Sequence, residues 1–329
     1  MSSVGDIVLT EPVVAALRRA RPESSIGFVV KERFRDLVRP NPSIDRIHAL
    51  RGSTPRALLD VAREIRSCGY STAIDLHSNP RSRFLSLASG AGVRTSYVKR
   101  DSLDSARVRL LRRPYRASRK IVERYLDALE PLGIAHPYAR PRFHLDSRSR
   151  ERARRMLTEA GLAGRRLLVL APGSVWDTKR WPAERFGELA RRLASEAGMS
   201  VVAVGSASER SICETVVGDS GGVSFAGSTG LGDMAALIAE AALFYGNDSG
   251  PTHISMALET PTVALFGPTD PGQFDFEGHS LLYEALPCGA CSFFGGTRCR
   301  ERHWGCMLGI TVDDAFEAGR ALMERRGRN

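Results

Sequence analysis

The sequence predicts an α/β protein of two Rossmann-like, parallel-sheet domains that face a cleft, with a helix at the C-terminus. Three observations lead there. Short apolar runs alternate with longer amphipathic segments through both halves, the pattern of repeated βα units. Several of those runs end in small polar or glycine turns, where parallel sheets bind ligands. A proline-bearing stretch, residues 136–141, divides the alternation, which puts the domain boundary near Asp146 and the domains at 1–146 and 147–329.

In the N-terminal half, residues 2–6 read as a turn that follows a strand, although no strand precedes it in this sequence. A start site placed too far downstream, or a shortened chain, is the expectation; were Met1 the true start, the central strand of one sheet would be absent and Asp6 would sit on a frayed end. A helix is expected from Thr10 as N-cap, with Pro12 in its first turn, to about Arg19. Strands are expected at 25–30, 44–50, 72–76 and 93–98, with helices at 33–38, 55–66, 81–89 and 118–132. Residues 99–118 are unusually basic.

The second half repeats the pattern. A helix at 147–160 precedes a strand at 166–170, which ends in Ala171-Pro172-Gly173-Ser174. A helix at 182–198 places Phe186, Leu189, Ala190 and Leu193 on one face. A strand at 200–204 and helices at 207–217 and 233–241 follow. Then comes the most organised stretch of the chain: an apolar run at 242–245, the turn Asn247-Asp248-Ser249-Gly250, a helix at 252–258, a second run at 262–266, and the turn Gly267 to Gly272. Its first turn offers backbone N–H groups at a helix start, which suits a phosphate. Thr311 with Asp314 three residues on marks the start of the last helix, reaching about Arg326.

Composition narrows the function classes. The 329 residues are 43% hydrophobic with no apolar run near membrane-spanning length, and no signal peptide is recognisable, so a cytoplasmic protein is expected. The net charge of +10 is carried by arginine, with only four lysines: Lys31, Lys99, Lys120 and Lys179. Codon bias explains that as well as a surface meeting an anionic partner does. No DNA- or RNA-binding motif is present, so nucleic acid is not an expected partner.

Four stretches bring a family resemblance: SSVGDIVLTEP at 2–12, DLHSNPRS at 75–82, APGSVWDTKRWP at 171–182, and NDSGPTH followed by GPTDPG at 247–272. In order and spacing they resemble the lipopolysaccharide heptosyltransferases of glycosyltransferase family 9. The resemblance implies a GT-B fold and an inverting, metal-independent transfer of heptose from ADP-heptose to a lipopolysaccharide core, an anionic glycolipid acceptor, with peripheral contact at the inner membrane face. It implies Asp6 as general base, since a single in-line displacement needs a carboxylate to take the acceptor's proton. It implies Lys179 on the diphosphate leaving group and Ser174 facing the phosphates. A different nucleotide sugar, a protein or other glycan acceptor, and a non-catalytic nucleotide-binding scaffold are the alternatives.

Further donor contacts are expected at Asp248, Ser249, Gly250 and His253, with Glu209 on the ribose and Thr229 near the base. Asp248 would repel a bare phosphate, so holding the turn or meeting a sugar hydroxyl fits it better. A packed core histidine and a ligand contact are both open for His253. His77, Asn79, Arg81 and Arg100 are expected on the acceptor side, with Arg107 and Arg109 near an acceptor phosphate. Cys288, Cys291, Cys299 and Cys306 lie within nineteen residues, and tetrathiolate zinc, or iron, in a structural role is weighed against reduced thiols in a loop.

Overall fold

The structure, a computed structural model, describes residues 3–98, 108 and 114–327. The described residues group into two compact units. One runs to His144, apart from a short stretch ending at Ser118; the other holds that stretch and everything from Leu145 onward.

The C-terminal unit is built on a parallel sheet of six strands among the described residues: β5 (Leu167–Ala171), β6 (Ser200–Ala203), β7 (Val223–Ser224), β8 (Ala241–Asn247), β9 (Thr262–Phe266) and β10 (Ser280–Tyr283). Their order is β10-β9-β8-β5-β6-β7. β5 and β9 are buried along their whole length, as expected of strands covered by helices on both faces. One face packs on Phe186, Leu189 and Leu193 of the helix Ala183–Ala197 and on Phe316 and Leu322 of the terminal helix Val312–Arg326. The terminal helix begins with the expected capping box, Thr311 with Asp314. It lies so close to β8 that a Cβ on Gly319 would run into the Tyr245 hydroxyl, which donates to Ala315 O at 2.8 Å.

The N-terminal unit departs from expectation. β1 (Gly27–Lys31) pairs in parallel with β2 (Arg46–Leu50), and β3 (Thr72–Asp75) with β4 (Val93–Ser96), but these are two separate two-stranded sheets. Among the described residues no strand joins β1 to β3, so the described strands do not close into one Rossmann-like sheet. A cavity of about 810 Å³ is lined by every residue of both strands. Its helices cover the expected ground: Glu11–Ala20, Pro55–Ser67 and Pro80–Ala88. The helix expected at 118–132 is α-helical only over Ile121–Leu126 and continues as a 3₁₀ segment containing Pro131.

Where a turn was expected, the first described residues are helical. Val4–Leu9 forms a short helix whose N-cap, Ser3, accepts from the Asp6 backbone N–H through Oγ at 3.0 Å. Among the described residues no helix is long and apolar enough to cross a membrane.

Candidate active site

Strand order fixes where the C-terminal unit can hold a ligand. From β5 the chain goes to β6 on one side, and β8 returns on the other, so the order reverses between β5 and β8. A crevice outside the carboxyl ends of two such strands is the usual ligand position in an open α/β sheet. The loop after β5 carries Ser174 and Lys179; the turn after β8 carries Asp248, Ser249 and Gly250.

Asn247, fully buried, stitches the two loops together. Its Nδ2 donates to Pro172 O at 2.7 Å and its Oδ1 accepts from Trp181 N at 3.0 Å. Trp181 in turn donates through Nε1 to Ile310 O at 3.0 Å, anchoring the loop in the core. Lys179 ends a 3₁₀ turn, Asp177–Lys179, tied down by Thr178, whose hydroxyl bonds to Gly296 O at 3.0 Å. Ser174 is buried, and its carbonyl accepts from Arg180 Nε and Nη2 at 2.9 and 2.7 Å.

The centre of the site is Asp248. Its Oδ2 accepts from Lys179 Nζ at 2.6 Å and from Thr269 Oγ1 at 2.6 Å, while His253 Nε2 lies 3.7 Å from Oδ1. Burial acts to raise the Asp248 carboxyl, but the Lys179 ammonium, and after it His253, outweigh burial and hold it well below the usual carboxylate range. Asp248 is thus a neutralised anchor for Lys179. His253 is buried and its ring sits 4.7 Å from that of Phe274, so it is a packed histidine that also faces the carboxylate.

Ser249 is the N-cap of the helix Gly250–Ala257 and makes no side-chain cap bond. Its Oγ is buried without a hydrogen-bond partner among the described residues. Such a group next to first-turn N–H donors is ready for an acceptor oxygen.

Glu209 Oε2 accepts from Ser206 N and Ser206 Oγ, both at 2.7 Å, so this carboxylate caps its own turn. It also leans over the β5 loop, where a Cβ on Gly173 would run into it. Thr229 lies in the turn before the helix Leu231–Ala239; a Cβ on nearby Gly227 would meet Ala207 Cα at 2.8 Å, so that turn packs against the Glu209 turn. The structure therefore gathers Ser174, Lys179, Glu209, Asp248, Ser249, Gly250 and His253 along adjoining strand ends.

The other expected residues lie in the N-terminal unit. Asp6 is in the first turn of its helix, and its carboxylate has no partner among the described residues. His77, Asn79 and Arg81 follow β3 and line the 810 Å³ cavity. Asn79 is a helix N-cap, with Oδ1 accepting from Ser82 N at 2.9 Å. Asp75 binds the same turn, accepting from His77 N and Ser78 N at 2.9 Å each. Arg100, Arg107 and Arg109 lie outside the described residues.

The sequence and the fold are matched by known proteins. Over residues 58–285 the sequence fits Glycosyltransferase family 9 (heptosyltransferase). The chain belongs to that family. It is 29% identical over 313 residues to Lipopolysaccharide heptosyltransferase 1 of Pseudomonas aeruginosa, covering 88% of this chain and 84% of the relative. The glycosyl transferase family 9 structure from Veillonella parvula superposes with TM-score 0.81 at 25% identity, over 99% of this chain and 95% of that one. The E. coli ADP-heptose lps heptosyltransferase II structure does so at 0.78 and 21% identity, over 99% and 98%. This family 9 member is accordingly a glycosyltransferase of the GT-B fold class.

The family match spans Lys179, Glu209 and Asp248 and stops before the cysteine-rich loop. There, among the described residues, no group of three or more His, Cys, Asp or Glu is placed to hold a metal ion. The thiols are free, and Cys288 Sγ lies 3.5 Å from His303 Nε2. Burial pushes Cys306 up to about 11, with Cys291, Cys299 and Cys288 adding to it, and burial raises Cys291 as well.

Two residues of the site escaped the sequence argument. Asn247 was visible only as part of a turn, and Thr269 only as part of Gly267–Gly272. An amide or hydroxyl in a glycine turn after an apolar run was the available signal.

Proposed function

We propose that the protein transfers a heptose from ADP-heptose to a lipopolysaccharide core acceptor, with inversion, in a single displacement. The names of its relatives carry the two substrates: the P. aeruginosa protein is a lipopolysaccharide heptosyltransferase, and an E. coli one is an ADP-heptose lps heptosyltransferase. The observation that supports a donor site in this chain is the Lys179–Asp248–Thr269 constellation beside the unpartnered Ser249 hydroxyl, where the strand order reverses.

In this reading residues 147–329 bind the nucleotide sugar and residues 1–146 the acceptor. Lys179 meets the diphosphate as its charge builds, and the first-turn N–H groups of the helix Gly250–Ala257 receive its oxygens. Ser174 flanks the phosphates, Glu209 binds ribose hydroxyls, and Thr229 lies toward the base. Asp6 takes the proton from the acceptor hydroxyl as the new sugar–oxygen bond forms and the bond to the diphosphate breaks. His77 and Arg81 lie on the acceptor side. The reaction is placed in the cytoplasm, with the acceptor reached by peripheral contact with the inner membrane face. A zinc or iron ion at the four cysteines has no part in the chemistry; a stoichiometric metal in the purified protein would add a structural role.

Release of ADP from ADP-heptose in the presence of a heptose-deficient core acceptor is the test. Asp6→Ala should lower kcat by roughly 10²–10⁴-fold with KM for the donor little changed. Turnover unaffected by Asp6→Ala removes the base assignment, and no turnover by the unaltered protein with any core acceptor removes the substrate pair.

A further inference from the structure

The loop that carries Lys179 holds two tryptophans, and only one of them has a place in the core. Trp181 is buried with its ring 4.9 Å from Phe186, and its indole N–H donates to Ile310 O. Trp176 is 37% exposed; among the described residues no aromatic ring packs on it and its indole N–H has no acceptor. Val175 beside it is exposed, and so is Phe294, at 53%. Phe294 belongs to a second loop that meets Trp176 at Gly295, where a Cβ would lie 2.7 and 2.8 Å from Trp176 Cβ and Cγ. We infer that Trp176 and Phe294 form a platform on which a sugar ring stacks, with Asp177 accepting from the sugar's hydroxyl groups. The platform presupposes the donor site proposed above and adds to it a surface that reads a sugar beside the diphosphate.

The platform is held in place from both sides. Lys179 N donates to Trp176 O at 3.0 Å, so the indole and the ammonium stand on one 3₁₀ turn. Thr178, inside that turn, clasps the second loop: its N donates to Gly296 O at 3.0 Å and its Oγ1 accepts from Gly296 N at 2.9 Å. Ser292 closes the second loop, its Oγ accepting from Gly295 N at 2.8 Å. Phe293 packs between Tyr115 and Phe294, with ring centres 4.6 and 5.2 Å away. A surface ordered in advance loses little freedom when a ligand settles on it.

The chemistry of the patch selects the occupant. A pyranose has a face of C–H groups and a rim of hydroxyls, and an indole matches both, with an apolar face and an N–H at its edge. Asp177 adds an acceptor: its Oδ1 takes Arg180 Nη1 at 2.8 Å, which orients the carboxylate, and the side chain stays 45% exposed. Ionised carboxylates are strong acceptors for hydroxyls. The same carboxylate would repel an anionic bilayer. Three exposed apolar side chains also fall far short of the roughly 800 Å² per partner that a stable protein interface buries. Both substrates of the proposed reaction carry sugars, so the ring is either the donor's, joined to the diphosphate at Lys179, or the acceptor's.

ADP release by the full chain gives KM for each substrate, and inhibition by ADP gives Ki for a ligand with no sugar beyond its diphosphate. Trp176→Ala should raise KM for one substrate on the order of tenfold, and Trp176→Phe by less than about threefold. Phe294→Ala should raise the same KM. Ki for ADP should stay within about twofold in all three variants. A rise in KM for ADP-heptose assigns the ring to the donor, and a rise for the core acceptor assigns it to the acceptor. Unchanged KM for both substrates would overturn the inference. So would a Ki for ADP that rises in step with KM, because a Trp176 that only supports the Lys179 turn would produce that. Asp177→Asn raising neither KM would remove the carboxylate from the platform. Acrylamide quenching of indole fluorescence needs no turnover, and the difference from Trp176→Ala isolates Trp176 from Trp181 and Trp304. ADP-heptose or a heptose-deficient core oligosaccharide should shield Trp176 where ADP does not. If the unaltered protein turns over no ADP-heptose, the proposed substrate pair falls, and quenching with ADP-glucose and UDP-glucose still decides the platform. Shielding by either sugar nucleotide beyond that by its free nucleotide would uphold it, and quenching unchanged by every sugar would overturn it.

Discussion

Replacing Lys179 by methionine tests the ion pair under the proposed donor site, because both partners are buried. Lys179 Nζ and Asp248 Oδ2 are 2.6 Å apart, and the two side chains are 12% and 5% exposed, so the screening that weakens surface pairs is slight. Removing one partner of a buried pair strands the other charge, at a cost of about 3–5 kcal/mol. Thr269 still donates to Asp248, and the carboxyl can take up a proton, so the lower end, about 3 kcal/mol, is expected. For a domain of about 150–250 residues that is a fall in Tm of roughly 6–12 °C. The pH dependence gives the sharper signature. In the native protein Asp248 titrates below its unfolded value, so its contribution is complete above about pH 4 and is lost as pH falls further. In Lys179→Met the strongest lowering influence is gone and only His253 and the Thr269 hydroxyl still oppose burial, so the folded value moves up toward the unfolded one. The loss of stability as pH falls toward about 4 then shrinks, and the penalty of the substitution is smaller at about pH 4.5 than at about pH 7. Thermal unfolding followed by circular dichroism at pH 7 and pH 4.5 measures both effects, with Asp248→Asn and the double variant completing the cycle. A Tm within about 2 °C of the native protein at pH 7, or a penalty equal at both pH values, would refute the reasoning.

Thr269→Val removes a hydroxyl that donates to the same carboxylate oxygen, and urea unfolding should show a loss of about 1.5–3 kcal/mol. Gly319→Ala drives a Cβ into the Tyr245 hydroxyl and should cost roughly 1–3 kcal/mol; adding Tyr245→Phe, which removes that oxygen, should return part of it. With Cys306 pushed up to about 11, chiefly by burial, its alkylation at pH 8 should run on the order of 100-fold slower than that of free cysteine and keep rising toward pH 11. Mass mapping of iodoacetamide adducts against pH checks this, and an inflection near about 8.5 would contradict it.

Legibility in the sequence followed burial. β9 was expected at 262–266 and is found there, because five consecutive apolar or β-branched residues between turns have one good place, a strand covered on both faces. β10 was missed: Ser280–Tyr283 is half-buried at the sheet edge, and its residues do not alternate. The break in the N-terminal sheet could be suspected from the missing strand but not drawn, since pairing depends on which edges meet. The same limit applies at the site. Sequence reasoning could place Lys179 and Asp248 each at a strand end, and it took Asp248 to hold its turn or to meet a sugar hydroxyl. That Asp248 holds Lys179, 69 positions away, follows only from β8 lying beside β5.

That pairing changes the role of a carboxylate beside a proposed phosphate site. A free Asp248 would repel a diphosphate, yet here its charge is matched by an ammonium and its second donor is a hydroxyl. An ammonium has three N–H donors in a compact head, and Asp248 Oδ2 engages one of them. Two remain for ligand oxygens, so Lys179 does not have to leave Asp248 in order to meet a diphosphate. The carboxylate sets where the ammonium stands, and the cation supplies the charge. Arginine would serve poorly: its planar fork prefers two coplanar acceptor oxygens, and Oδ1 of Asp248 already faces His253 at 3.7 Å. In a chain that uses arginine 43 times and lysine four times, lysine at position 179 fits a place where the proposed diphosphate contact calls for a small, rotatable cation.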